Sequence, residues 1–179
     1  MDFKEERIDS EDIYQGKIVN LRIDQVKLPN GRVSTREVVE HSGGVSILAL
    51  TEKKEILLVE QYRTPVEETL LELPAGKLEP GENPLDCARR ELIEETGFKA
   101  ARIKHLYSFY TTPGFSDELL YLYLASELEE VGTDFDEDEI IKNHLISPGE
   151  IMDSILSGRI KDAKTIVGLL TYLRGDFNV

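Results

Sequence analysis

The chain has 179 residues, 35 of them acidic and 21 basic, for a net charge of −14. That length suits one domain with a substantial core. The acidic balance disfavours a nucleic-acid phosphate backbone or an anionic membrane as partner, so an anionic small-molecule substrate needs local help from a metal ion and arginine.

The N-terminal segment DFKEERIDSED lacks the apolar core of a signal peptide and the acid-poor character of a transit peptide. From Lys17 to Leu28 the pattern is strand-like, and Pro29-Asn30-Gly31 is a tight turn into a second strand, Arg32 to Glu40. This predicts an N-terminal hairpin over 1–42, ahead of a main domain over 43–179, and alternating Val19, Leu21 and Ile23 give it a face to bury. Gly44 to Leu50 and Glu55 to Tyr62 are apolar, β-branched-rich runs around the charged turn Glu52-Lys53-Lys54, and they read as central strands. Leu70 to Leu73 is a further short strand.

A helix follows, with Asn83 as N-cap, Pro84 in the first helical position and Gly97 as the left-handed residue past the end. The single Cys87 lies on it; it has no disulfide partner, as in a reducing compartment, and no basic neighbour on the wheel, so it reads as packing. Beyond it, Arg102 to Tyr110 and Glu118 to Ala125 alternate as strands around the loop Thr111 to Asp117, and Glu139 to Ile146 is another strand. The run Glu127 to Glu139 reads by composition as a solvated acidic loop. Ser147-Pro148 opens a short helix, and Asp162 caps a last one that turns Ile166, Leu169, Leu170 and Leu173 toward the body. No run approaches the roughly 20 apolar residues of a membrane span, so the expected location is the cytoplasm. His41, His105 and His144 show no ligand spacing and read as structural or exposed.

The chemistry concentrates between Gly76 and Phe98. On the helical wheel Leu85, Ala88 and Leu92 form the buried stripe, and Glu91, Glu94 and Glu95 crowd one arc beside it. Like charges at such spacing repel, so a cation should sit against them. Hard carboxylate oxygens without His or Cys suit Mg²⁺, or Mn²⁺. Arg90 reaches Glu94 at i,i+4 and has Glu82 as a second partner, but stands too far round the wheel to neutralise the whole arc.

Gly76, five residues, Glu82, seven residues, then Arg90-Glu91-Leu92-Ile93-Glu94-Glu95-Thr96-Gly97-Phe98 resembles the full signature of the Nudix hydrolases. The resemblance implies an α+β Nudix fold, a mixed β-sheet sandwiched between helices (α/β/α), and hydrolysis of a nucleoside diphosphate linked to another group. It makes Glu91, Glu94 and Glu95 metal-ligand candidates, with the Ala75 carbonyl as a further oxygen, and makes Gly76, Glu82, Arg90 and Gly97 structural members of the motif. Pro113, sixteen residues after Gly97, and its segment TTPGFSDE resemble the loop of ADP-ribose pyrophosphatases. The segments EQYR, LELPAG and REVVEH are similar to the same subfamily, which implies hydrolysis of ADP-ribose to AMP and ribose 5-phosphate. A Nudix enzyme for another nucleoside diphosphate sugar, such as GDP-mannose, is the alternative. The complete set of signature glutamates argues against a non-catalytic nucleotide sensor.

The resemblance also points to the acidic loop for the general base, Glu139 first and Glu137 second; a helix glutamate is the competing choice. For substrate contacts, Arg36 and Arg63 carry guanidinium forks suited to phosphate or ribose oxygens, with surface ion pairs as the plainer role. Glu72 is a candidate for a ribose hydroxyl or the base, and Phe115 and Tyr110 for a sugar or adenine pocket. In related ADP-ribose enzymes the N-terminal region exchanges between subunits, so the resemblance implies a homodimer, with a monomer whose hairpin folds on its own core as the alternative.

Overall fold

The computed structural model describes residues 3–132 and 140–175. The chain divides into two units, Met1–Gly43 with Tyr110–Leu119, and Gly44–Phe109 with Leu120–Val179.

In the first unit β1 (Glu6–Gln15), β2 (Val19–Lys27) and β3 (Val33–His41) form an antiparallel sheet in the order β1-β2-β3. The turn between β2 and β3 needs Gly31, whose φ is 82° and whose N–H donates to the Leu28 carbonyl at 2.8 Å. The predicted hairpin is therefore a three-stranded meander. Its extra strand, β1, is exposed along its whole length, so no buried alternation marks it in the sequence. Ser10 Oγ on β1 donates to buried Asp24 on β2 at 2.7 Å. The loop that carries Pro113 and Phe115 folds onto β3: Val39 N–H donates to the Phe115 carbonyl at 2.7 Å and His41 N–H to Asp117 Oδ1 at 2.8 Å.

The second unit is built on a mixed sheet of β4 (Gly44–Leu50), β5 (Ile56–Arg63), β6 (Glu68–Glu72), β7 (Ala75–Lys77), β8 (Phe98–Tyr110), β9 (Leu119–Glu130) and β10 (Lys142–Ile146). The main path runs β10-β5-β4-β9-β8, with β6 paired to β5 and β7 to β4. β4 runs parallel to β9 and antiparallel to β5. Every residue of β4 is buried because the strand alternates between two cores. Leu48 and Leu50 join Ile151, Ile160 and Leu169 on one face, while Val45, Ile47 and Ala49 join Cys87, Ala88 and Leu92 on the other. Helix α1 (Pro84–Thr96) thus covers one face, and α2 (Ile151–Leu156) and α3 (Ala163–Arg174) cover the other. This is the expected helix-sheet-helix sandwich.

Four details depart from the sequence reading. β8 starts directly after Gly97, β9 extends into the acidic run as far as Glu130, and the three-residue β7 pairs with β4 where a loop was expected. On α3 Leu169 is buried, but Leu170 and Leu173 are 44% and 40% exposed, so the buried stripe is narrower than the sequence suggests. Among the described residues no helix is long and apolar enough to cross a membrane.

Candidate active site

Helix α1 begins and ends as its caps dictate. Asn83 accepts from Leu85 N–H at 2.9 Å, and Gly97, at φ 74°, donates its N–H to the Ile93 carbonyl. With these ends fixed, Cys87, Ala88 and Leu92 fill the core, while Glu91 and Glu95 meet Gly76 and Ala75 of β7 and Glu94 stays part-exposed beside Arg90. Gly76 is what lets strand and helix meet. A Cβ there would stand 1.8 Å from Glu91 Cδ, and any side chain would displace the carboxylate.

Arg90 ties the arc together. Its Nε and Nη2 donate to the two Glu82 oxygens at 2.9 and 3.0 Å, and Nη1 donates to Glu91 at 2.7 Å and to Glu94 at 2.8 Å. Nη2 also lies 3.3 Å from the Lys77 carbonyl. The guanidinium therefore reaches one more carboxylate of the arc than the wheel predicts, because a long side chain can fold back over its own turn. Its bonds hold the Glu82 carboxyl down to about 2. Glu95 is reached differently: it is 5% exposed, and its Oε2 accepts from Ala75 N–H at 2.9 Å. Arg90 Nη2 also lies 3.4 Å from Cys87 Sγ, so the thiol does have a basic neighbour. Burial and the charges of Glu82 and Glu91 nevertheless push it up to about 12, which leaves it an unreactive packing group.

Beside this arc lies a second polar cluster. Arg63 grips Glu72 through two bonds of 2.7 and 2.8 Å, and Lys164 pairs with the same carboxylate. Glu72 is only 1% exposed. Burial pushes its carboxyl up, but Arg63 and Lys164 together outweigh that and hold it below the ordinary value. The charge of Glu95 is felt at Arg63, which places this cluster within electrostatic range of the motif carboxylates.

Residues on both sides of the acidic segment are anchored on the last residue of α1 and its cap. Val131 and Gly132 N–H donate to the Gly97 carbonyl at 2.8 and 3.2 Å, and Asn143 Nδ2 donates to the Thr96 carbonyl at 2.8 Å. Residues 131–132 and 143 are thus held on the two residues that follow Glu95 in sequence.

A family profile for the NUDIX domain matches residues 40–167, and one for the nucleoside diphosphate sugar hydrolase N-terminal domain matches residues 5–39. The chain belongs to the Nudix hydrolase family. It is 44% identical over 169 residues to the methanol dehydrogenase activator of Bacillus methanolicus, covering 93% of this chain and 91% of that one. It is 43% identical over 164 residues to the ADP-ribose pyrophosphatase of Bacillus subtilis (strain 168), covering 90% and 89%. A crystal structure of an ADP compounds hydrolase matches with a TM-score of 0.85 over 98% of this chain and 97% of that chain; at 21% identity it shows the fold.

Within this Nudix unit Arg90 joins Glu82, Glu91 and Glu94, Gly76 lies against Glu91, Gly97 caps the helix, and Glu95 is held apart on Ala75. Nudix hydrolases generally depend on a divalent cation. Here the arc offers only hard carboxylate oxygens, the donor set such an ion takes, and position 76 has no side chain between Glu91 and the strand. Among the described residues no three acidic, imidazole or thiol side chains stand together as a ready cage, since Arg90 holds Glu91 and Glu94 while Ala75 N–H holds Glu95.

The predicted substrate contacts divide. Arg63 and Glu72 meet in the second cluster, where both Glu72 oxygens are already engaged, an arrangement that spacing along the chain gave no sign of. Arg36 belongs to the first unit and pairs with Glu5 at 2.6 Å, the plainer role considered for it. Phe115 and Tyr110 are 54% and 58% exposed. Pro113 lies in the loop held on β3. Glu137 and Glu139 lie outside the described residues. The histidines find structural partners: His144 bonds Glu60 at 2.7 Å, His105 bonds Ser108 at 3.0 Å, and His41 Nδ1 accepts from Gly43 N–H at 3.1 Å.

Proposed function

We propose that this Nudix hydrolase cleaves the pyrophosphate of ADP-ribose, adding water to give AMP and ribose 5-phosphate. The observation that carries the reading is the 43% identity to an ADP-ribose pyrophosphatase across nearly the whole of both chains. Mg²⁺ is the proposed cofactor, with Mn²⁺ as a substitute. Glu91, Glu94, Glu95 and the Ala75 carbonyl would hold it, and when bound it neutralises the pyrophosphate oxygens so that water can attack phosphorus.

The protein's own groups do the rest. Glu82 and Arg90 brace the loop against α1, keeping the glutamates at fixed heights along the helix. A carboxylate of the acidic segment takes the proton of the attacking water, Glu139 first and Glu137 second. The bonds of residues 131, 132 and 143, on either side of that segment, to the Thr96 and Gly97 carbonyls support this choice. Arg63, 40% exposed and fixed by Glu72, is suited to a phosphate or ribose oxygen, and Glu72 serves as its buttress. Arg36, Pro113 and Phe115 are proposed for the rest of the substrate. The enzyme is read as a cytoplasmic homodimer. Exposed apolar side chains of the N-terminal sheet, among them Ile8, Ile13 and Val33, support that assembly.

The test is a discontinuous assay of the purified protein with ADP-ribose, GDP-mannose and other nucleoside diphosphate sugars, with and without Mg²⁺ or Mn²⁺. Mg²⁺-dependent release of AMP and ribose 5-phosphate, with the highest kcat/KM for ADP-ribose, is expected. No product from ADP-ribose with either metal overturns the reading.

A further inference from the structure

Four consecutive residues leading into the motif are each held in place. Glu72 is gripped by Arg63 and Lys164. Leu73 N–H donates to Thr165 Oγ1 at 2.8 Å. The Pro74 carbonyl accepts from Ile47 N–H at 2.8 Å, and Ala75 N–H donates to Glu95 at 2.9 Å. Two of these four restraints come from the first turn of α3, which lies far along the chain from the signature. Thr165 is fully buried, and its hydroxyl, having accepted from Leu73, donates to Asp162 Oδ2 at 2.6 Å. The same carboxylate caps α3 through Thr165 N–H at 2.9 Å and pairs with Lys164 at 3.1 Å. One turn further on, Gly168 brings the helix so close that a Cβ would stand 2.4 Å from Leu73 Cδ1.

We propose that Thr165 is a positioning residue for the metal site: through Leu73 it fixes the height of Ala75, and through Ala75 the orientation of the Glu95 carboxylate. The hydroxyl is suited to this because it accepts and donates at once, so its acceptor lone pair is aimed at Leu73 by the bond to Asp162. Lys164 supports the same strap one residue earlier. A carboxylate bonded to a backbone N–H keeps its other oxygen directed only while that backbone stays put, and outer partners of this kind set metal affinity. The catalytic consequence rests on the hydrolase reading above; the positioning itself does not.

The test compares Thr165→Val, which keeps the shape but removes both hydroxyl bonds, with Thr165→Ser, which restores them. Amide hydrogen exchange is followed at Leu73 and Ala75 in the metal-free protein, and Mn²⁺ binding is followed by electron paramagnetic resonance without substrate. Expected for Thr165→Val are faster exchange at both amides and Mn²⁺ binding weakened roughly 10-fold or more, with Thr165→Ser close to wild type. Wild-type Ala75 exchange and Mn²⁺ affinity in Thr165→Val would overturn the proposal. If that variant fails to fold, Thr165→Ala, which removes the same two hydroxyl bonds, is read the same way, and unchanged Ala75 exchange and Mn²⁺ affinity there overturn it. A wild-type protein that cleaves no nucleoside diphosphate sugar, while Thr165→Val still loosens Ala75 and weakens Mn²⁺ binding, removes the hydrolase reading and leaves this one standing.

Discussion

A methyl group at position 76 would fall 1.8 Å from Glu91 Cδ and 1.9 Å from its Oε1, distances no packing tolerates. Gly76→Ala is therefore expected to push the Glu91 carboxylate, the free end of a flexible side chain, out of the arc, removing most of kcat with little loss of stability. Thermal melting and steady-state kinetics check the two effects separately. Glu95 allows a cleaner separation of fold from chemistry. In Glu95→Gln the amide oxygen can still accept from Ala75 N–H, so the melting temperature should hardly move while metal-dependent turnover is abolished. Near-normal kcat at saturating Mg²⁺ would remove Glu95 from the ligand set.

At the scale of an element, α1 and its preceding loop are joined by one guanidinium. Arg90 holds Glu82 from the loop and Glu91 and Glu94 from the helix, so Arg90→Met leaves three part-buried carboxylates facing one another. A loss of about 1–3 kcal/mol is expected from polar groups left without their partner. The pH dependence has a definite sign. Glu82 titrates at about 2 in the fold against an ordinary 4.5, so its contribution is complete above pH 4.5 and is lost as pH falls toward 2. Denaturant unfolding across that window should show the wild type losing stability steeply and Arg90→Met, already weaker at pH 7, losing less. The acidic segment is an element of another kind, since its flanks are tied to the end of α1. If it supplies the base, Glu139→Gln lowers kcat by about 10²-fold or more with little change in KM. The same effect from Glu137→Gln instead would move the assignment by two residues.

For the whole molecule, the exposed apolar residues of β1 bear on assembly. In the proposed homodimer Ile13, 48% exposed in the single chain, is covered by a partner. Ile13→Lys should then weaken the dimer by roughly 10-fold or more, given about 1.5–3 kcal/mol for burying such a side chain. Sedimentation velocity across a dilution series would show the shift, and a wild-type protein that sediments as a monomer throughout would remove the homodimer.

How far the chain could be read before it was folded depended on the range of the interactions involved. The caps Asn83 and Gly97, the Gly31 turn, the continuous apolar run of β4 and the spacing of the glutamates are all legible within a few residues of chain. Local propensity and periodicity therefore specify them in the sequence, and with them the family and the sandwich. Strand β1 escaped because exposure along its whole length erases alternation, and the short β7 because its partner β4 is distant in the chain. The grip of Arg63 and Lys164 on Glu72, the bond from Leu73 to Thr165 and the contact of Ala75 with Glu95 were decided only by the tertiary structure. Each joins groups separated by 9 to 92 residues, and a polar side chain's partner at that range is fixed by which strand and helix the fold lays side by side.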